Sequence, residues 1–319
     1  MLNSIRLGVV MDPISSIKIH KDSTFAMLLA AQKRGWQLSY MELSDLSLKD
    51  NAAYGWMRPL EVADDPKNWF KLGIPKPEPL YNLQIILMRK DPPFNISYIM
   101  STYLLQQAAT TGVLVVNAPQ SLRDANEKLF ALQFPKFCPP TLVTTKAEDI
   151  RAFWSQYEDI ILKPLDGMGG ASVFRIRHQD PNLNVIIENL THNEQKLIMV
   201  QRFIPEICFG DKRILIVDGE TIPYALARMP APGEFRGNLA AGGKGMGTPL
   251  SAKDKQIARQ VGIELKKRGI LFAGLDIIGD YLTEINITSP TCLRELDKIF
   301  DLDIATDLLN ACERRLKKA

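Results

Sequence analysis

Apolar residues in the first third of the chain fall in short runs separated by amphipathic stretches. Residues 5–11 predict a buried strand, stopped by Asp12-Pro13. Ser23 then predicts the cap of a helix in which Phe25, Leu28 and Leu29 share a face, with Gly35 at its end. Strands at 36–42, 85–88 and 113–117, with a helix at 97–110 closed by Gly112, continue the alternation. Strands separated by helices predict an open, parallel sheet. Residues 47–80 carry Pro, Lys and Asp without a clear period and read as a loop-rich insertion. No GxGxxG follows the first strand, so a dinucleotide fingerprint is absent.

The pattern changes near Ser121. Helices are expected at 124–132, 146–157 and 182–190, and strands at 141–144, 160–165, 172–176 and 197–203, with a glycine-rich loop between the second and third strands. Beyond that, strands at 213–217 and 221–228 flank the turn pair Asp218-Gly219. Residues 229–249 are rich in glycine and proline and have no period, which in a compact protein suits a mobile lid. Ser251-x-x-Asp254 opens a helix to residue 268 in the manner of a capping box. A hairpin at 270–278 and 282–287 and a helix at 303–317 complete the chain.

The last hairpin carries the most chemistry. Alternation puts Glu284 and Asn286 on one face of their strand. Leu275 and Ile277 must share a face with Ile285 and Ile287 to make one apolar side. That requirement pairs Asp276 with Glu284, which needs a three-residue loop at 279–281 or an equivalent bulge. Asp276, Glu284 and Asn286 together offer hard oxygen donors suited to Mg²⁺ with bound phosphates. Lys163 sits in an aliphatic strand, where an ammonium needs an anion to meet. The loop Asp166-Gly167-Met168-Gly169-Gly170 follows it and lets backbone N–H groups approach phosphate oxygens, though alone it reads equally well as a hairpin turn. It is not a Walker A loop, because no Gly-Lys-Ser/Thr follows. Lys128, taken by itself, is a helix surface residue. The lid supplies Arg236, Asn238 and Lys244, a composition suited to phosphate capture and water exclusion. Asp211-Lys212-Arg213 and Arg228 bring positive charge toward the acids.

Composition narrows the field by exclusion. The 319 residues are 46% hydrophobic and 24% charged, with net charge +3, which suggests neither a nucleic-acid nor a membrane partner. The basic tail Arg314-Arg315-Leu316-Lys317-Lys318 suits a solvated helix end. Four dispersed cysteines without a CxxC pair fit reduced thiols in a cytosol. The three histidines are isolated and make no metal spacing.

In this order the pieces resemble the ATP-grasp superfamily and, more narrowly, prokaryotic glutathione synthetases. The matching strings are Met88-Arg89-Lys90-Asp91-Pro92-Pro93-Phe94, then Ser121-Leu122-Arg123-Asp124-x-Asn126-Glu127-Lys128, and Leu162-Lys163-Pro164-Leu165-Asp166-Gly167-Met168-Gly169-Gly170. The lid string from Arg236 to Gly243 and Glu284-Ile285-Asn286-x-x-Ser289-Pro290-Thr291 follow. The fold class implied is α/β, an ATP-grasp fold preceded by an open, mostly parallel α/β domain. The divisions expected are 1–122, 123–200 and 201–319, with the lid at 229–249, and ATP between the second and third.

The resemblance implies that Lys128, Lys163 and the glycines Gly167, Gly169 and Gly170 meet the ATP phosphates. Gln201, Arg202, Phe203 and Ile204 would line the adenine pocket, with Asp211 near the ribose. Asp276, Glu284 and Asn286 would hold Mg²⁺ or Mn²⁺. Arg89, Asn286, Ser289 and Thr291 would hold γ-glutamylcysteine. Arg213, Arg228 and Arg236 would stabilise the transferring phosphoryl group. Glycine is the implied second substrate, and a cytoplasmic homotetramer the implied state. Arg202 and Phe235 depart from residues that are often Asn and Thr in relatives, which bears on affinity rather than on a charged catalytic group. The ATP half alone also fits ligases for other amino acids. The strings around Arg89 and Ser289 favour glutathione synthesis.

Overall fold

The computed structural model describes residues 4–237, 239 and 242–317. These residues form three sheets. The first has β1 (Arg6–Val10), β2 (Gln37–Met41), β7 (Ile85–Met88) and β8 (Leu114–Val116) in the parallel order β2-β1-β7-β8. Helices α1 (Ser23–Lys33) and α2 (Ile96–Ala109) make the crossovers. Asp22, not Ser23, caps α1, its side chain accepting from Phe25 N–H.

The loop expected at 47–80 is instead a β-extension. Strands β3 (Leu46–Lys49), β4 (Ala52–Val62), β5 (Phe70–Leu72) and β6 (Lys76–Pro79) pair antiparallel around β4, and β4 joins the sheet at β2. Small residues disguise its alternation. Ala53, Gly55 and Met57 all face inward, and a Cβ on Gly55 would stand 2.4 Å from the sulfur of Met41.

The second sheet, in the order β11-β10-β12-β9, contains β9 (Thr141–Thr144), β10 (Ile160–Pro164), β11 (Phe174–Ile176) and β12 (Ile198–Arg202), covered by α4 (Ala147–Tyr157) and α5 (Leu183–Thr191). The expected helix at 124–132 is not formed. Helix α3 (Pro119–Asp124) ends where that helix was to begin. The side chain of Asn126 then accepts from the N–H groups of Lys128 and Leu129 and donates to Leu165 O, turning the chain away from helix. Lys128 is therefore in a turn and is buried.

The third sheet runs β15 (Lys244–Pro249), β14 (Glu220–Met229), β13 (Asp211–Val217), β16 (Phe272–Ile278) and β17 (Tyr281–Asn286), all antiparallel. The last part of the expected lid is thus strand β15, and Asn238 lies outside the described residues, as does Lys318 of the tail. Helix α6 (Ala252–Lys267) carries the full capping box between Ser251 and Asp254. Helices α7 (Leu293–Phe300) and α8 (Ile304–Leu316) follow; α7 was not anticipated.

Two hydrophobic cores each draw on both the first and third sheets. One joins Val10 and Ile86 to Ile214 and Leu275; the other joins Leu7 and Val9 to Leu215 and Leu308. The second sheet keeps a core of its own, around Ile150, Ile160, Ile187 and Val200. Helix α6 lies so close to the β13–β14 turn that a Cβ on Gly262 would sit 2.3 Å from Gly219 O. Gly262→Ala should therefore lower stability by about 1–3 kcal/mol through overpacking. Helix propensity alone would raise stability by about 1 kcal/mol, so the sign of the change in thermal midpoint decides between the two.

Candidate active site

The acid-bearing hairpin forms as its hydrophobic pattern requires, by the bulge rather than the longer loop. Ile278 pairs with Tyr281 around the two-residue turn Gly279-Asp280, and the register then shifts so that Asp276 pairs with Glu284 and Gly274 with Asn286. Thr283 is the extra residue, and its hydroxyl donates to Asp276 O at 3.1 Å. Leu275, Ile277, Leu282 and Ile285 are fully buried on the other side.

The neighbouring strands surround these acids with cations. Arg213 lies opposite Asp276 on β13 and grips it with two hydrogen bonds, Nε to Oδ1 at 2.6 Å and Nη2 to Oδ2 at 3.1 Å. Arg228, paired with Asp211 across β13–β14, reaches both Asp211 and Asp276, the latter at 2.9 Å. Burial pushes the Asp276 carboxyl up, but Arg213 and Arg228 outweigh it and hold it well below the usual carboxylate range. Asp211 goes the other way, to about 7, because burial outweighs its share of Arg228. Lys163 Nζ and Lys128 Nζ stand 3.5 and 3.7 Å from Glu284 Oε1. Burial raises the Glu284 carboxyl, and the two lysines bring it below its ordinary value. Lys128 also donates to Gly167 O at 2.7 Å, tying it to the glycine loop.

Two chambers meet at this face. The first is lined by Lys128, Lys163, Gly167, Gly169, Gly170, Gln201, Arg202, Phe203, Ile204, Asp211, Phe235 and Arg236. The second is lined by Asn286, Ser289, Thr291, Arg213 and Arg228, and by residues of the first-sheet loops from Asp12 to Pro92. Gly167, Met168, Gly169, Asp276 and Glu284 belong to both. Arg89 lines neither; it is buried behind the second chamber, donating to Thr24 Oγ1 at 3.0 Å and Pro290 O at 2.9 Å. Lys244, at the start of β15, also lines neither.

Several polar atoms around the first chamber are buried without a partner among the described residues: Asp211 Oδ1, Arg202 Nε and Arg236 Nε. Arg236 is nonetheless docked, donating to Gly170 O at 3.0 Å and pairing with Glu234. Such unmatched atoms are costly unless a ligand satisfies them. The donor set of the shared face suits a hard cation. Arg213 and Arg228 use three of the roughly four acceptor positions of Asp276, leaving one on Oδ1. Among the described residues no three His, Cys, Asp or Glu side chains converge, so the protein donors would be two carboxylates and the Asn286 amide.

Two contributors had no local signal. Glu127 accepts from Ile287 N, Thr288 N and Thr288 Oγ1, fixing the segment after β17. Asn117 accepts from Leu271 N and Phe272 N and donates to Phe272 O and Ile287 O. A polar residue at a strand end gives no hint of a partner 154 positions away.

Family comparisons agree with this architecture. A model described as the N-terminal domain of prokaryotic glutathione synthetase matches residues 5–123, and one described as its ATP-grasp domain matches residues 127–301. The chain is 61% identical to a glutathione synthetase of Shewanella oneidensis over 312 residues, covering 98% of this chain and 99% of the relative. It is 58% identical to one from Pseudomonas aeruginosa, with 98% and 99% coverage. Among solved structures, D-cycloserine synthetase DcsG superposes with a TM-score of 0.68 at 14% identity, covering 98% of this chain and 99% of that one. The ATP-grasp ligase PsnB, complexed with minimal precursor, Mg and ADP, gives a TM-score of 0.61 at 16% identity, with 98% coverage of both chains. At these identities the structural neighbours speak for the fold alone.

Proposed function

The chain belongs to the prokaryotic glutathione synthetase family, and from that premise we propose how its own residues divide the work. The protein is an ATP-dependent carboxylate–amine ligase of the ATP-grasp fold that makes glutathione. The first chamber takes ATP and the second takes γ-glutamylcysteine and glycine. The observation that carries this reading is the face shared by the chambers, where Asp276 and Glu284 stand between four cations.

In this reading the γ-phosphate lies over the shared face. Lys128, Lys163 and the N–H groups around Gly167–Gly170 hold the phosphates, and Arg236 supplies an unmatched donor from the lid. Gln201, Arg202, Phe203 and Ile204 wall the base, and the ribose hydroxyls satisfy Asp211 Oδ1. Asp276, Glu284 and Asn286 would hold Mg²⁺ or Mn²⁺, which when bound would supply positive charge against the phosphates. The cysteinyl carboxylate of γ-glutamylcysteine, oriented by Ser289 and Thr291 with Arg89 bracing Pro290 from behind, attacks the γ-phosphorus. Arg213 and Arg228 face the charge that develops in that in-line transfer. The amine of glycine then displaces phosphate from the resulting acyl phosphate. Water would destroy that intermediate, so the docked lid excludes it.

The division expected at 1–122, 123–200 and 201–319 follows the three sheets except at one edge, where β12 (Ile198–Arg202) of the second sheet crosses the boundary at 200. A cytoplasmic homotetramer completes the reading on resemblance alone; no helix among the described residues is long and apolar enough to cross a membrane. The test is ADP release by the purified protein with ATP and Mg²⁺. Release should require γ-glutamylcysteine, and with hydroxylamine in place of glycine the protein should make the γ-glutamylcysteine hydroxamate. ADP release indifferent to γ-glutamylcysteine would sink the assignment of the second chamber.

A further inference from the structure

Among the described residues, those of the β-extension (46–79) line neither chamber. One of its turns reaches the site nevertheless. Residues 63–69, between β4 and β5, close on themselves through Ala63 N to Trp69 O at 3.0 Å and Asn68 N to Asp65 O at 3.1 Å. The turn presents Trp69 to the segment 11–22, which joins β1 to α1, and presents Asp64 to Arg294 in the first turn of α7. That segment gives the second chamber part of its wall, Ser16, Ile17 and Lys18 among it.

The wall is anchored on both sides of these three residues. Before them, Ile14 O accepts from Trp69 Nε1 at 3.0 Å. Ile14 N donates to Tyr40 Oη at 3.3 Å, a hydroxyl oriented by its own bond to Glu42 at 2.8 Å. After them, Ile19 O accepts from Arg294 Nη1 at 2.7 Å. Asp64 holds Arg294 with two contacts, Nη2 to Oδ2 at 2.7 Å and Nη1 to Oδ1 at 3.2 Å. The side chains of Ile14 and Ile19 are buried. Trp69, Asp64 and Arg294 stand behind the wall rather than in it. Because Trp69 and Arg294 grip main-chain carbonyls, they fix the path of the segment whatever side chains it presents. A free segment loses conformational entropy when a ligand orders it. A wall ordered beforehand removes that loss from the binding step.

We propose that Trp69 and Arg294 are positioning residues for the peptide substrate, and that through them the β-extension preorganises residues 15–18 as the wall against which γ-glutamylcysteine is held. Asp64 steadies Arg294 in that role. This rests on the assignment of the second chamber above. Among its described lining residues the ATP chamber has none from 11–22, so nucleotide binding should not sense the anchors.

Trp69→Phe keeps the bulk of the ring and removes the donor. With hydroxylamine as acceptor, glycine takes no part in the measurement. KM for γ-glutamylcysteine should then rise about tenfold, the upper range for one ordinary hydrogen bond. KM for ATP and kcat should stay within about twofold, as when binding common to ground and transition states is lost. Arg294→Met should act in the same direction, and Arg294→Lys, which keeps a donor for Ile19 O, should recover part of the loss. Asp64→Asn should raise KM only about twofold, because Asp64 is half exposed and such ion pairs are worth little. Amide hydrogen exchange at residues 15–19 should quicken in Trp69→Phe and slow again with saturating γ-glutamylcysteine. Trp69→Phe carries the test should the Arg294 variants not fold. A purely structural role would lower kcat through the active fraction and leave every KM in place. That pattern, an equal rise in KM for ATP, or unchanged exchange at 15–19 would each overturn the proposal. ADP release by the unmodified protein that ignored γ-glutamylcysteine would overturn the chamber assignment instead.

Discussion

Glu284→Gln should lower kcat/KM by about 1,000-fold or more while the chain still folds. Preorganised charge is commonly the largest single contribution to such catalysis, and one neutral donor alone is worth about 100- to 1,000-fold. Glu284 does more than one donor. It is the carboxylate that Lys128 and Lys163 both face, and it sits in the wall common to both chambers. Glutamine keeps the shape and one carbonyl oxygen but removes the charge. Two buried ammonium groups then face each other without a counter-ion, and the proposed cation loses one of its two carboxylates. Steady-state rates across a Mg²⁺ titration, with circular dichroism to check the fold, provide the measurement. Activity within tenfold of the unmodified protein at ordinary Mg²⁺ would place the metal elsewhere.

Asn117→Ala should cost about 3–5 kcal/mol of stability, in the range of the severe single substitutions. The side chain makes four buried hydrogen bonds, two accepted from Leu271 and Phe272 N–H and two donated to Phe272 O and Ile287 O. Alanine leaves those four backbone groups without partners in a site that water cannot readily enter. An unmatched buried group costs about 1–3 kcal/mol, and local relaxation recovers part of the sum. Urea denaturation would show a lower midpoint. A loss below about 1 kcal/mol, the net worth of one ordinary hydrogen bond, would mean that the backbone groups find other partners.

What could be read in the sequence was local and periodic. Alternation in residues 272–287 placed Asp276 opposite Glu284 before any coordinates, because burying Leu275, Ile277, Ile285 and Ile287 together leaves that pairing. The bulge at Thr283 was legible as a requirement, though not as a position. Ser251 and Asp254 announced α6 in the same local way. What failed was decided by distant contacts. The β4 strand hid behind Ala53 and Gly55, which are small because Met41 and Leu80 fill the space beside Gly55. The helix expected at 124–132 gave way because the Asn126 and Glu127 side chains bond to residues 39 and 160 positions away. Lys128 looked like a surface lysine for the same reason, and only resemblance gave it a role.

The separate core of the second sheet has a mechanical consequence. The first and third sheets share two cores, so rotating one against the other would open apolar surface to water. The second sheet grips its neighbours largely by polar contacts: Lys128 to Gly167 O, Asn126 to Leu165 O, Arg236 to Gly170 O and Arg202 to Tyr281. Those bonds can be traded for water at little cost. Among the described residues it is therefore the sheet that can swing without tearing a shared core, and it carries the glycine loop and the Gln201–Phe203 wall of the first chamber with it. A ligand can enter and leave the first chamber by that swing, while Asp276, Asn286 and most of the second chamber stay fixed to the larger body.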